Sequence, residues 1–285
     1  MTIRFCPGCG NSGGLRFKSN IDSSKINETS FSSRKAPEFM HHDLHECATC
    51  KTLYTPFVAD SDLLKAYESA PLHATQESFA AASTYRGLIA RELSTHPLSV
   101  LDVGCGDGAF LSQMIDGGSE IAHGVEPSMD AAKQNTDNRV TILAKTLNEI
   151  PANHLYDAVC LFQTIEHVSE PKQLVELMVS HLAKDGSLYL VCHDRFSLVN
   201  RLLGRRSPIF DIEHLQLYTR HGIRHLLEAS GLQIRTLKRF SNHYPLTYAL
   251  QLAFPKLKTP EWLANVSVPV PAGNLFIRAT HSPKL

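Results

Sequence analysis

The stretch Val100-Leu101-Asp102-Val103-Gly104-Cys105-Gly106-Asp107-Gly108-Ala109-Phe110-Leu111 runs from apolar residues through three alternate glycines into apolar residues at helical spacing. That pattern reads as strand, tight turn and helix. Without a Cβ, glycine takes a positive φ and lets a ligand approach the main chain, and the N–H groups at the start of the following helix suit a carboxylate or a phosphate. The stretch therefore predicts a cofactor cradle. A dinucleotide fingerprint spaces its glycines Gly-x-Gly-x-x-Gly. Here the third glycine comes one residue early, as Gly104-x-Gly106-x-Gly108 behind Asp102.

Working outward, a strand over 121–125 ends in Glu126-Pro127-Ser128. A carboxylate about twenty residues after the glycine turn offers two acceptor oxygens to the two hydroxyls of a ribose, so Glu126 leads the candidate cofactor ligands. A helix over 129–135 and a strand over 140–144 follow, with Thr146 and Leu147 just beyond. The continuous apolar run 156–162 predicts a strand buried on both faces, and Gln163-Thr164-Ile165-Glu166-His167 extends from its end. A helix over 171–183, a turn at Lys184-Asp185-Gly186-Ser187 and a strand over 188–192 lead to His193 and Asp194. Strands over 232–240 and 274–279 complete seven, the last antiparallel. The expected fold is α/β, a Rossmann-like, mostly parallel seven-stranded sheet with helices on both faces. Ligands of such sheets sit beyond the carboxyl ends of the strands, which directs 163–167 and 193–194 toward one cleft.

At the start of the chain, Cys6-Pro7-Gly8-Cys9 is answered by Cys47-Ala48-Thr49-Cys50. Two Cys-x-x-Cys turns complete a closed tetrahedral sulfur site, so Cys6, Cys9, Cys47 and Cys50 predict a structural zinc in a small ribbon ahead of the α/β sheet. His41, His42 and His45 are alternative ligands whose simpler role is as loop residues. The polar stretch 18–36 predicts a long loop between the knuckles. Residues 61–69 and 74–95 have helical character. The expected division is a zinc ribbon over 1–57, a helical linker covering the cofactor over 58–98, and a main domain over 99–285 with a lid at 194–228. The lid region holds Arg195, Arg201, Arg205 and Arg206, which either grip phosphate or form a solvated basic helix end.

Composition bounds the partners. In 285 residues, Lys+Arg and Asp+Glu balance at 28 each, so no overall field draws the protein to nucleic acid, which is set aside as an unfavoured partner. Hydrophobic residues at 43% supply an ordinary core, and no apolar run reaches the length of a membrane span. With cysteines where a signal peptide needs an apolar segment, a cytoplasmic location is expected, and the seven cysteines are read as metal ligands and core thiols.

The set Leu101-Asp102-Val103-Gly104-Cys105-Gly106-Asp107-Gly108, Gly124-Val125-Glu126-Pro127, Tyr156-Asp157 with Ile165-Glu166-His167-Val168, and Lys184-Asp185-Gly186 resembles a class I methyltransferase dependent on S-adenosylmethionine (SAM). The chain is similar to bacterial members of the ubiquinone-biosynthesis type and of surface-polysaccharide and sugar-methyltransferase groups. The resemblance implies SAM as cofactor, held by Asp102, Gly104, Cys105, Gly106, Gly108, Glu126, Pro127, Thr146, Leu147 and Gln163. Many relatives place an acidic residue after the third strand to meet the adenine amino group; this chain has Thr146 there. The implied reaction is in-line methyl transfer to oxygen or carbon of a small molecule, sugar or nucleotide-sugar. A hydroxyl or carbon acid needs a base, and His167, His193 and His214 are the candidates. The alternatives are an RNA methyltransferase whose ribbon binds the substrate, and a non-catalytic SAM-binding scaffold.

Overall fold

The computed structural model describes residues 4–26, 30–31, 38–58, 68, 76–93, 95–247, 250, 260 and 266–283. A seven-stranded sheet is built from β4 (Ser99–Val103), β5 (Ile121–Val125), β6 (Thr141–Ala144), β7 (Tyr156–Phe162), β8 (Leu182–His193), β10 (Leu232–Pro245) and β11 (Ser267–His281), in the order β10-β11-β8-β7-β4-β5-β6. The four pairings from β6 across to β8 are parallel, and β11 runs antiparallel to both of its neighbours. This is the mostly parallel architecture expected.

Side chains alternate along the strands, so one strand feeds two cores. Leu101, Val159, Leu161, Leu188 and Leu190 pack with Val175 and Met178 of α4 (Pro171–Ser180) and with Ile223, Leu226 and Leu227 of α6 (Arg220–Ala229). Val100, Ala158, Cys160, Tyr189 and Val191 pack on the opposite face with Leu88 and Ile89 of α1 (Gln76–Ala90) and with Phe110, Leu111 and Met114 of α2 (Ala109–Asp116). Both faces of the sheet are thus dry, as a parallel sheet requires.

A second sheet of four strands, β1 (Gly13–Phe17), β2 (Leu44–Cys47), β3 (Leu53–Tyr54) and β9 (Gln216–Leu217), forms the ribbon. Its last strand comes from the segment expected as a lid. Leu53 pairs with Leu217 and Tyr54 with Gln216, so the ribbon shares a ladder with the rest of the chain. Within the same segment, α5 (Leu198–Leu203) precedes β9, and α6 lies against the main sheet.

Several expected boundaries move. The helix over 171–183 stops at Ser180, and the turn at 184–187 is absorbed into β8 as a bulge. Tyr156 pairs with Leu182 and Ala158 with Ser187, because burying Leu182 recruits the chain into the ladder earlier than its Asp-Gly signal suggests. Strand β10 continues past Phe240 because β11 starts earlier, at Ser267, and offers it a partner. The helix over 129–135 is α3, Met129–Lys133. The helix expected over 61–69 lies outside the described residues except for Glu68, which is helical; residues 27–29 and 32–36 of the loop between the knuckles and most of the apolar segment 244–254 lie outside them too. Among the described residues, no helix is long and apolar enough to cross a membrane.

Candidate functional site

The glycine turn after β4 folds back on the end of β5. The N–H groups of Gly104 and Cys105 both donate to the Val125 carbonyl, at 2.8 and 3.1 Å. Gly104 has φ +77°, and a Cβ there would sit 2.6 Å from Thr164 Oγ1, so the turn can approach the loop after β7 only as glycine. Gly106 and Gly108 also have positive φ. Cys105 is buried beneath the turn, and burial pushes its thiol well up.

Glu126 sits opposite the turn. Its Oε2 accepts the N–H of Gly106 at 2.8 Å, and its Oε1 accepts the N–H of Ser128 at 2.8 Å, one residue beyond Pro127. Each oxygen keeps a second lone pair, so the carboxylate is fixed in place and still able to accept two more hydrogen bonds. Burial raises the Glu126 pKa, opposed by those two backbone donors. Asp102, at the end of β4, is pushed up to about 8, first by burial and then by the Glu126 charge. Its buried Oδ1 has no hydrogen-bond partner among the described residues. The same holds for Oε1 of Gln163, whose backbone is left-handed at φ +53° where β7 ends. An orphaned buried acceptor on a strained non-glycine residue marks a place where the fold was shaped for something other than its own stability.

Thr146 and Leu147 behave differently from the residues around Glu126. The N–H and hydroxyl of Thr146 both donate to Glu149 Oε1, at 2.9 and 2.6 Å, capping the short turn Leu147–Glu149, and the Leu147 side chain enters the core. The Thr146 hydroxyl is thus committed to its own chain. Glu149 escaped the sequence reading, although Thr-x-x-Glu is the capping-box signature that reveals it.

The three candidate histidines come from separate segments and meet. Ring centroids lie 4.8 Å apart for His167 and His214 and 5.2 Å apart for His193 and His214. His193 Nδ1 is 2.9 Å from Asn274 Oδ1, an oxygen that only accepts, so Nδ1 carries the proton and Nε2 the lone pair. His214 Nδ1 likewise donates to the Ile209 carbonyl at 2.8 Å. Burial lowers the His193 pKa, with Glu166 pulling the other way, which keeps this imidazole neutral at pH 7. Glu166 is itself buried and raised; its Oε1 accepts the His193 N–H at 2.5 Å, while Oε2 has no hydrogen-bond partner among the described residues. Asn274 and Glu166 carry no local signal of these roles, since both arise from contacts between distant strands.

Arg195 does not point to a ligand: it pairs with Glu46 Oε2 of β2 at 2.6 Å and donates to the Lys51 carbonyl. Arg201, Arg205 and Arg206 are exposed along and after α5.

In the ribbon, the Sγ atoms of Cys6, Cys9, Cys47 and Cys50 all lie within 4.8 Å of one another, with Cys6–Cys50 and Cys9–Cys47 both at 3.4 Å. Four thiols so placed match the tetrahedral sulfur set of structural zinc, with S–S edges of about 3.8 Å when zinc is bound. The nearby histidines are engaged elsewhere. His41 Nδ1 donates to the His42 carbonyl at 2.8 Å, His42 Nε2 donates to the Ile212 carbonyl at 3.2 Å, and the His45 ring packs on Tyr54.

Residues 75–237 match the methyltransferase-domain family. Over 100 residues the chain is 30% identical to the tRNA U34 carboxymethyltransferase of Cronobacter sakazakii, covering 32% of this chain and 31% of that one. Over 95 residues it is 30% identical to the ubiquinone biosynthesis O-methyltransferase of Rickettsia canadensis, covering 31% of this chain and 40% of the relative. The chain thus spans well under half the length of these curated relatives. A SAM-dependent methyltransferase from Thermotoga maritima shares the fold with a TM-score of 0.50 and 18% identity, over 72% of this chain and 91% of that one.

Proposed function

Because the chain belongs to the methyltransferase-domain family, we propose that it transfers the methyl group of SAM to a small-molecule, sugar or nucleotide-sugar acceptor. The observation that carries the reading is Glu126, held by Gly106 and Ser128 with two acceptor positions to spare beside a turn of left-handed glycines. SAM supplies a methyl on a sulfonium, so the protein has chiefly to align acceptor and cofactor. In this reading Glu126 takes the ribose hydroxyls, and Asp102, Gly104, Cys105, Gly106, Gly108 and Pro127 form the wall of the cradle. Gln163 closes it from the end of β7. Leu147 backs the adenine side from the core, and Thr146 contributes through its backbone carbonyl.

On the acceptor side, His193 offers a neutral Nε2 to an acceptor proton, next to His167 and His214. The four cysteines suit a zinc ion with a closed ligand set, which leaves it a structural role. Seven free thiols suit the reducing cytoplasm. A second reading, methylation of RNA, is supported by the relative named for tRNA U34, and balanced charge alone does not set it aside.

Calorimetry with SAM on the purified protein tests the cofactor. A screen for S-adenosylhomocysteine formed with sugars, nucleotide-sugars and small phenols tests the acceptor. No SAM binding overturns the proposal, and turnover only with tRNA, at an affinity that falls steeply with salt, replaces it with the RNA reading.

A further inference from the structure

We propose that Gln216 is a positioning residue for the acceptor half of the site, and that the four-cysteine ribbon holds Gln216 in place. An acceptor half exists only if the protein transfers methyl groups; the hydrogen bonds of Gln216 do not depend on that reading. The loop 165–169 follows β7 and carries Glu166 and His167. Its main-chain carbonyls are tied down from β9 and from the start of the ribbon. The side-chain Nε2 of Gln216 donates to the Ile165 carbonyl at 2.6 Å and to the Val168 carbonyl at 2.8 Å. The Glu166 carbonyl accepts the N–H of Leu215 at 2.9 Å, and Arg4 donates to the Ser169 carbonyl at 2.6 Å. Arg4 also donates to Gln216 Oε1 at 3.1 Å, so both hydrogens of this fully buried amide and its oxygen are used.

An amide is needed at this position. A carboxylate would set acceptors against two carbonyls, and an apolar side chain would take the side-chain donor from those carbonyls and one acceptor from Arg4, which keeps the Ser169 and Thr55 carbonyls. The strand bearing Gln216 has two residues and stays in place through the ribbon. Tyr54 and Leu53 pair with it, and the Thr55 N–H donates to the Leu215 carbonyl at 2.8 Å. Strand β3 follows directly on the second cysteine knuckle, and Tyr54 packs against the cysteines. A continuous set of contacts therefore runs from the cysteine cluster through β3 and β9 to Gln216, and from there to Glu166 and His167. Glu166 in turn takes the N–H of His193. The ribbon is a wall of the acceptor site as well as a fold-stabilising knot.

The test uses the full-length, zinc-loaded protein with S-adenosylhomocysteine as probe. Gln216→Met keeps the volume and removes the amide; Arg4→Ala loosens the same network from its rim and guards against a variant that fails to fold. In both, hydrogen exchange at the His167 and Leu215 amides is expected to rise by about ten-fold or more. The His167 imidazole NMR signals should shift, while S-adenosylhomocysteine affinity stays within about two-fold, because the cofactor half is not touched. Zinc removal by a chelator should loosen the same two amides. Wild-type exchange and unshifted His167 signals in both variants, with only a lower melting temperature, overturn the positioning role. Protected amides in folded, zinc-free protein overturn the ribbon's share in it. Failure of the wild type to bind the probe overturns the methyl-transfer reading alone, since the exchange measurements still decide the role of Gln216.

Discussion

Gly106 donates its N–H to Glu126 Oε2 at 2.8 Å, tying the turn after β4 to the carboxylate at the end of β5. The two residues define each other: the glycine aims its amide through a positive φ, and the carboxylate is oriented before any ligand arrives. Preorganisation of this kind lowers the ordering cost of binding. Glu126→Gln retains the shape but exchanges an acceptor for a donor, and Glu126→Ala removes both. With hydrogen bonds to a charged group contributing roughly 1.5–3 kcal/mol each, SAM affinity measured by calorimetry should fall about ten-fold or more for Glu126→Gln and further for Glu126→Ala. Wild-type affinity in the alanine variant would remove Glu126 from the site.

Asp102 links this site to stability. Its carboxyl titrates near 8 when folded against 3.8 when free, so the folded state holds a proton that the unfolded state has released. A raised pKa contributes stability that is fully present below about pH 4 and is lost as pH rises through about 8. Asparagine cannot ionise. The melting temperature of Asp102→Asn minus that of the wild type should therefore grow from pH 5 to pH 8.5, and a gap independent of pH would refute the assignment.

The ribbon should be lost with its metal. One zinc per chain is expected by elemental analysis, and chelation or Cys47→Ser should lower the melting temperature by roughly 10 °C, because the binding energy of such a site is folding energy. Full stability in metal-free protein would make the four thiols ordinary core residues.

What could be read along the chain follows from the range of the interactions. The glycine turn, Glu126 and the two cysteine knuckles are local patterns, and the seven strands announce themselves by apolar runs, so the fold and the elements that bring the glycine turn to Glu126 are legible. Strand β9 has two residues and no periodicity; only its partner Leu53, far upstream, makes Leu217 part of a sheet. The sequence marks the three histidines singly, but the approach of His167 and His193 to His214, at 4.8 and 5.2 Å, depends on how the loop after β7, the end of β8 and the segment before β9 converge. Asn274 and Gln216 were invisible for the same reason. At Lys184-Asp185-Gly186 packing prevailed over the local turn signal, which became a bulge, whereas the Thr146 hydroxyl turned to Glu149 through a local capping box.

Docking of the ribbon on α6 depends on one close approach. A Cβ on Gly222 would land on the Thr52 hydroxyl and lie 3.4 Å from Cys50 Sγ, while the position of a Cβ on Gly8 is 3.1 Å from the Gly222 backbone. Gly222→Ala should cost roughly 1–3 kcal/mol by denaturant unfolding. Gly87→Ala in α1, where a Cβ meets open space, should be neutral or stabilising by up to about 1 kcal/mol. Equal effects of the two substitutions would show that the ribbon does not seat on α6.

The His193–Asn274 hydrogen bond bears on the protonation state of the proposed base. Burial pulls the His193 pKa below the ordinary imidazole range; Glu166 and the Asn274 hydrogen bond raise it, and His214 lowers it. Nitrogen-15 NMR of the wild type should show the Nδ1–H tautomer, with titration below that of a free histidine. Asn274→Leu removes a partner of the charged form, so the pKa should fall further and the tautomer preference weaken. Asn274→Asp sets a carboxylate beside Nδ1–H, so the pKa should rise and the imidazolium should persist toward neutral pH. A base must be neutral to accept a proton. The aspartate variant should therefore lose methyl-transfer rate at pH 7 and regain it as pH rises, with an acceptor found by the screen. If both substitutions moved the titration in the same direction, Asn274 would not be the group that sets it.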